Sequence, residues 1–569
     1  MNILFGIPKV VIINEMINAF VYVIFYALLY LIGRGIIIFA EDIFKFSNIS
    51  NHKINGFPIR ILNPVIALFY IGHLVLISNF FTTGVNSVVY ILSLIPLFFN
   101  LRKAQIREFN LSISFVRILS LLILSVSSNT ISFHQDAASY HLNNQLYIRT
   151  EKVVLGLGNV YMRYGYSSLS EYINSFFWFD NNFILLHFVN LVFVSIFYFF
   201  LIWCLLESNN FKYQLISVSI LFYGVLDNFG IEGGRNGFID IDTIGKQDNS
   251  FAILFFITNF FIVQKLIEKE TLVKRDILFL LFLILYSAEI RFFGLVSIFG
   301  LLLLIRKDLK IILSKTTFFY FSIGCVWIFK NYLITSCLIY PLTFTCLPSP
   351  WFNSYSSNWQ SDELRSFHAA YDIFHESPIT WLFRWNERYL NYYVGTNLVV
   401  SVILIYFVLS LLLKSKKSFF VRNLNSYFYV TLLILLWAVS APSIRFGIGI
   451  FLLLVMTICL KFDEFRSVRA SIAFSNTFLK HILLFTVIIS TPLIRNYSPE
   501  NYSFKLQVIS PPQIEYVLQE TTWGYGVKII EDPKKEQGFC WLNKECTPPP
   551  NFIITEENLL SYRVMILEK

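Results

Sequence analysis

The sequence predicts an all-α polytopic integral membrane protein with about 13–14 transmembrane helices. Three observations carry that expectation. Charged residues make up 14% of the 569-residue chain, against roughly 25% in a soluble domain, so most of the surface faces something other than water. Uncharged, mostly apolar runs such as Met16–Gly33, Phe183–Leu206 and Tyr392–Leu413 recur, and each is long enough to cross a hydrocarbon core of ~30 Å. Short loops rich in Lys and Arg alternate with these runs. A backbone in lipid has no water to bond, so the runs must be helical.

In chain order, spans are expected over 17–40, 61–80, 84–100, 112–128, 182–206, 213–229 and 249–265. The stretches 277–288 and 292–305 are short, and read as two helices meeting at a break near Glu289 and Arg291. Further spans are expected over 317–336, 392–413, 424–441, 446–460 and 481–495. Residues 1–496 thus form a transmembrane helical domain, and 497–569 a small polar tail. No cleavage site follows the first span, so it is expected to be retained.

Orientation follows from charge. The basic groups Lys45/Lys53/Arg60, Arg102/Lys103/Arg107, Lys265/Lys269/Lys274/Arg275, Arg306/Lys307/Lys310, Lys414/Lys416/Lys417 and Lys461/Arg466/Arg469 all fall on one side if the spans alternate. Cytoplasmic loops collect Lys and Arg, so that side is the cytoplasm. The same bias accounts for the net charge of +9 without invoking nucleic acid as a partner. The outer side then holds loops 129–181, 230–248 and 337–391 and the tail, in a bacterial plasma membrane.

Two outer segments have one apolar helical face: Leu169, Tyr172, Ile173, Phe176 and Phe177, and Trp381, Leu382, Trp385 and Tyr389. Both are expected to lie in the headgroup plane, the alternative being short core helices of folded loops. Cys204, Cys325 and Cys459 sit in spans as apolar fillers. Cys540 and Cys546 lie in the outer tail, where an oxidising compartment favours a disulfide between them. Cys337 and Cys346 fall on the same side and can also pair.

The outer loops hold the candidate chemistry. Asp136 follows a span closely, where a carboxylate can serve as general base for a hydroxyl on a membrane-bound acceptor; the competing reading is a helix N-cap. Asp248 stands just ahead of another span. Glu289 and Arg291 interrupt an apolar stretch, and an intramembrane charge is a functional candidate by default. Lys330 and Arg445 are similar, with snorkelling to headgroups as the alternative.

The stretch Asp136 with Tyr140-His141, Gly156-Leu-Gly158-Asn159, and Gly165 followed by Ser167-Ser168 resembles the first outer loop of a bacterial family of polytopic proteins. Later matches are Asp248, Lys330-Asn331, Ile339-Tyr340-Pro341, Trp359, Ala441-Pro442 with Arg445-Phe446, Cys540-Trp541 and Cys546-Thr547-Pro548. That family is similar to the GT-C glycosyltransferases, which take sugars from polyprenyl-phosphate donors. Two departures are visible: about four spans precede Asp136, and the second acidic motif reads Gly245-Lys-Gln-Asp248-Asn249 without a proline.

The resemblance implies an inverting transferase that moves a sugar from a polyprenyl-phosphate donor to a glycan or lipid acceptor, with membrane lipids as its surroundings. It implies Asp136 as base, Tyr140 and His141 shaping the site, and Asp248 positioning a substrate or a divalent metal, the cofactor being left open. Arg291 and Arg445 would stabilise the leaving phosphate. An O-antigen-type polymerase or ligase would lean instead on Arg365, Arg384 and Arg388 of loop 337–391. A membrane transporter would show paired inverted halves, and the sequence displays no such symmetry.

Overall fold

The computed structural model describes residues 9–44, 52–54, 56–102, 111–131, 133, 136–179, 182–208, 210–228, 244–268, 273–306, 310, 314–366, 377, 380, 384, 417–440, 442–461, 477–496, 516–519, 526–529, 542, 544 and 554–567. The expected span 392–413, Trp381, Leu382, Trp385 and Tyr389, most of loop 230–248, and Cys540 with Cys546 lie outside these residues.

The architecture is helical. Helices α1 (Lys9–Phe44) and α2 (Asn63–Phe81) flank a two-stranded ribbon, β1 (Lys53–Ile54) with β2 (Phe57–Pro58). The expected span 84–100 is two helices, α3 (Ser87–Leu94) and α4 (Pro96–Arg102). Pro96 lacks the N–H that would continue the ladder, which is why it starts a helix here. Helix α5 (Leu111–Ser125) follows. A section of shorter helices then carries α6 (Leu142–Thr150), α7 (Leu157–Val160) and α8 (Leu169–Phe176). The chain re-enters the bundle as α9 (Ile184–Ile202), α10 (Phe211–Asn228), α11 (Asp248–Glu268) and α12 (Lys274–Ile290). Arg291 is extended (φ −145°, ψ 128°) and ends α12, so the expected break is present, and α13 (Ser297–Ile305) resumes after a short 3-10 turn. Helices α14 (Lys315–Thr335), α15 (Ser354–Ser366), α16 (Lys417–Ser440), α17 (Ile444–Lys461) and α18 (Thr477–Asn496) complete the set. Two tail hairpins are β3 (Tyr516–Gln519) with β4 (Gly526–Ile529), and β5 (Ile554–Leu559) with β6 (Tyr562–Leu567).

Among the described residues, five helical segments are long and apolar enough to cross a membrane: Met16–Phe44, Ile59–Phe81, Ile184–Glu207, Asp248–Glu268 and Lys315–Thr335. Six shorter apolar helices accompany them. The segments of α9 and α11 are enclosed by other helices, whereas α14 turns Phe318, Phe321 and Phe329 outward. A helix that is apolar all round belongs inside a bundle. The many phenylalanines fill that centre edge to face: Phe200 meets Phe260 at 4.8 Å and Phe256 at 5.6 Å between ring centroids. Some polar side chains there bond across helices, as where Asn259 donates to Ser297 Oγ at 3.0 Å, the usual bond between helices in an apolar medium.

One expectation is corrected. Helix α8 does not lie with its rings facing outward. Leu169, Tyr172, Ile173, Phe176 and Phe177 are all buried. The cause is Gly72 of α2: a Cβ there would sit 2.8 Å from Ile173 and 3.1 Å from Leu169. The absent side chain lets α8 seat directly on α2.

The section around α6 and α7 is built jointly by distant segments. Val153, Val154, Leu157, Val160 and Tyr164 share a core with Ile334 of α14 and Met565 of β6. Leu155 N–H donates to the Arg563 carbonyl at 2.9 Å, and Met565 N–H returns a bond to Leu155 at 2.8 Å. Arg563 also pairs with Glu151 and Glu556. Cys337 and Cys346 form a disulfide in the loop after α14.

Candidate functional site

The site begins with a backbone contact. Phe133 pairs in parallel with Ile244 as an isolated bridge. Next to it, Gly245 has φ +84°, a conformation that favours glycine. A Cβ on Gly245 would lie 2.4 Å from that of Ala137. Two loops remote in sequence therefore touch beside Asp136 on one strand of chain and Asp248 on the other.

Asp136 precedes a π-helical turn, Ala137–His141. Its backbone is already helical (φ −64°, ψ −28°) and its side chain makes no capping bond. The N-cap reading is thus set aside, because a cap requires extended backbone and a side-chain bond to the first amides. Arg163 Nη1 stands 3.5 Å from its Oδ1, and the carboxylate is only partly covered.

Asp248 opens α11 among cations. Arg291 bonds its Oδ1, and Lys246 Nζ lies 3.9 Å from its Oδ2. Arg445 and Asp136 also act on it electrostatically. The guanidinium groups of Arg291 and Arg445 sit 4.5 Å and 4.7 Å from the Phe446 ring centroid, a spacing at which a ring face attracts a cation. Asp136, Asp248, Arg291 and Arg445 therefore occupy one neighbourhood at the start of α11, the end of α12 and the start of α17. A carboxylate next to guanidinium groups can take a proton while an anion is held. Among the described residues no three His, Cys, Asp or Glu side chains come together as metal ligands. Three cationic side chains already act on Asp248, so these residues suit an anion there better than a divalent cation.

Tyr140 and His141 play different parts. The Tyr140 ring stacks on His141 at 4.1 Å and faces the Arg163 guanidinium at 5.5 Å. Burial, with the Asp136 carboxylate adding to it, pushes the Tyr140 phenol well above its ordinary value, so at neutral pH it is a hydrogen-bond donor. His141 turns inward and bonds Glu171, which also accepts from Gln145 at 2.8 Å. His141 is therefore a buried support beneath Tyr140.

Other matched residues assemble around this support. Lys330 is fully buried and donates to the Ser167 carbonyl, which rules out snorkelling. Ser168 Oγ donates to the Ile290 carbonyl at 2.8 Å, tying loop 129–181 to the break at Arg291. Gly165 gives room to Tyr340, to which a Cβ would come within 2.7 Å. Asn159 Nδ2 donates to the Trp351 and Met565 carbonyls, both at 2.9 Å.

Sequence reasoning missed Arg163, Glu171 and Lys246 as site residues. The partners of Arg163 and Glu171, Asp136 and His141, lie 27 and 30 residues away, beyond the reach of local pattern, and Lys246 stands two residues from Asp248. His73 was legible, as a histidine inside the apolar run 61–80, and went unassigned.

No curated protein and no solved structure matches the chain. Residues 16–452 match the family described as Domain of unknown function (DUF8201), and the chain belongs to that family.

Proposed function

We propose that the protein is a GT-C-like inverting glycosyltransferase of a bacterial plasma membrane, multi-pass with about 13–14 spans and its reacting loops outside. It moves a sugar from a polyprenyl-phosphate donor to a glycan or lipid acceptor. The observation that supports this reading best is the meeting of Asp136 with the Asp248–Arg291–Arg445 group at the outer helix ends. The Cys337–Cys346 disulfide fits loop 337–391 facing an oxidising compartment.

In this reaction the acceptor hydroxyl attacks the anomeric carbon while its proton passes to Asp136. The bond from that carbon to the donor phosphate breaks, and the phosphate leaves with the electron pair. Arg291 and Arg445 meet the charge that develops there, which is where fixed cations lower a barrier most. Asp248 aims Arg291 by bonding it. The test is release of polyprenyl phosphate from a panel of polyprenyl-phosphate hexoses and pentoses by the protein in nanodiscs. Donor cleavage that is independent of added acceptor and unchanged in Asp136→Asn would remove this reading.

Two variants probe the geometry. Arg445→Lys keeps the charge but loses the planar fork, so release should fall roughly tenfold, the size of one charge-assisted hydrogen bond. Gly245→Ala removes no reacting group. It strains a positive-φ position and drives a methyl into Ala137, so it separates the two loops. A displacement of about 1 Å costs roughly 10²-fold in rate, and the strain and overpacking cost about 1–3 kcal/mol of stability, so activity is measured at a temperature where the variant is folded. Full activity in Gly245→Ala would show that the loop contact is not needed.

A further inference from the structure

Behind the candidate site, five ionisable side chains from five elements meet inside the helical bundle. His73 Nε2 of α2 lies 3.2 Å from Glu289 Oε2 of α12. Lys330 of α14 interacts with Glu289 and with Glu171 of α8, and Glu171 bonds His141. All five are buried. Among the described residues, phenols also face the two glutamates, Tyr286 toward Glu289, and Tyr140 and Tyr172 toward Glu171.

With both glutamates ionised, Lys330 charged and both histidines neutral, the set carries one uncompensated negative charge. A water-poor interior strongly disfavours that state, and such groups neutralise by binding a proton. The place of the proton follows from hydrogen-bond roles. His73 Nδ1 is 3.0 Å from the Phe69 carbonyl, and a carbonyl only accepts, so Nδ1 carries a hydrogen. A neutral His73 then turns a bare Nε2 lone pair toward the Glu289 carboxylate. Neither Glu289 oxygen has an aligned donor among the described residues, so the 3.2 Å approach is repulsive unless a proton lies in it. The opposite end needs none. Neutral His141 donates through Nδ1 to Glu171, which has Gln145 as a second donor and Lys330 as counter-charge.

We propose that His73 and Glu289 form a proton-binding site within the membrane layer, holding the one proton that neutralises the buried set His73, Glu289, Lys330, Glu171 and His141. The site stands two residues from Arg291 and so directly behind its contact with Asp248, and it does not depend on the transferase reading.

The test uses the full chain in nanodiscs at pH 8, where an ordinary histidine is neutral, with ¹⁵N-labelled histidine for NMR and infrared spectra of the carboxyl region. The wild type should show either an imidazolium signal or a protonated carboxyl band, and Glu289→Gln should abolish it. That variant should still fold, because the carboxamide N–H donates to Nε2 and the set is neutral without the proton. In His73→Phe a carboxyl band should appear, and it should vanish when Glu289→Gln is added. A wild-type spectrum with neither signal overturns the proposal without any variant. So does a signal unchanged in Glu289→Gln, or failure of that variant to fold.

Discussion

Asp136→Asn is expected to lower polyprenyl-phosphate release by roughly 10²–10⁴-fold, the usual size of a general-base contribution, with expression and membrane insertion unchanged. Asparagine keeps the shape of the side chain and an acceptor for the Arg163 contact at 3.5 Å. It loses basicity and the negative charge that faces Arg163 and acts on Asp248. The alternative role of a helix cap is absent, since Asp136 makes no capping bond. Asp136→Glu, which keeps the charge and the base, should retain more activity than Asp136→Asn and so separates the two losses. Wild-type rates in Asp136→Asn would end the proposed mechanism, however well the arginines are placed. Loss of activity together with loss of folded protein would instead mean that Asp136 holds the outer loop in place.

Lys330→Met is expected to destabilise the protein by about 3–5 kcal/mol, the cost of removing one partner from a buried ionic group. Methionine matches the length of the lysine stem and suits a helix, so the packing of α14 is largely kept. What disappears is the cation acting on Glu289 and Glu171 and the donor to the Ser167 carbonyl. Two carboxylates then remain in the interior without their shared counter-charge. Thermal unfolding in detergent, followed by intrinsic tryptophan fluorescence, measures the change. A loss below about 1 kcal/mol would match an exposed ion pair and would mean that Lys330 is not the keystone of this group.

The helices were legible because hydrophobicity is local. A span needs about 20 apolar residues in a row, and such runs mark α1, α2, α9, α11 and α14 within a few residues of their observed ends. The break at Arg291 was legible for the same reason, since a charged residue in an apolar run is costly and the backbone does depart from helix there. The individual site residues were legible as types. Asp136, Asp248, Arg291 and Arg445 stood out by charge and by their places near span ends.

What joins them was not legible. The Phe133–Ile244 bridge and the seat of Gly245 on Ala137 bring the two acidic loops together, and neither loop carries a local mark of the other. Periodicity showed that α8 has an apolar face but not what covers it; Gly72, on another helix, decides that. The family resemblance implies that His141 shapes the site with Tyr140, yet Glu171 draws it inward. The sequence by itself determined the membrane-spanning helical class and which ionisable side chains stand out in it. Only the tertiary structure decided which of them face one another, because the free energy of a buried ion pair or a seated helix exists only once two distant segments have excluded water from between them.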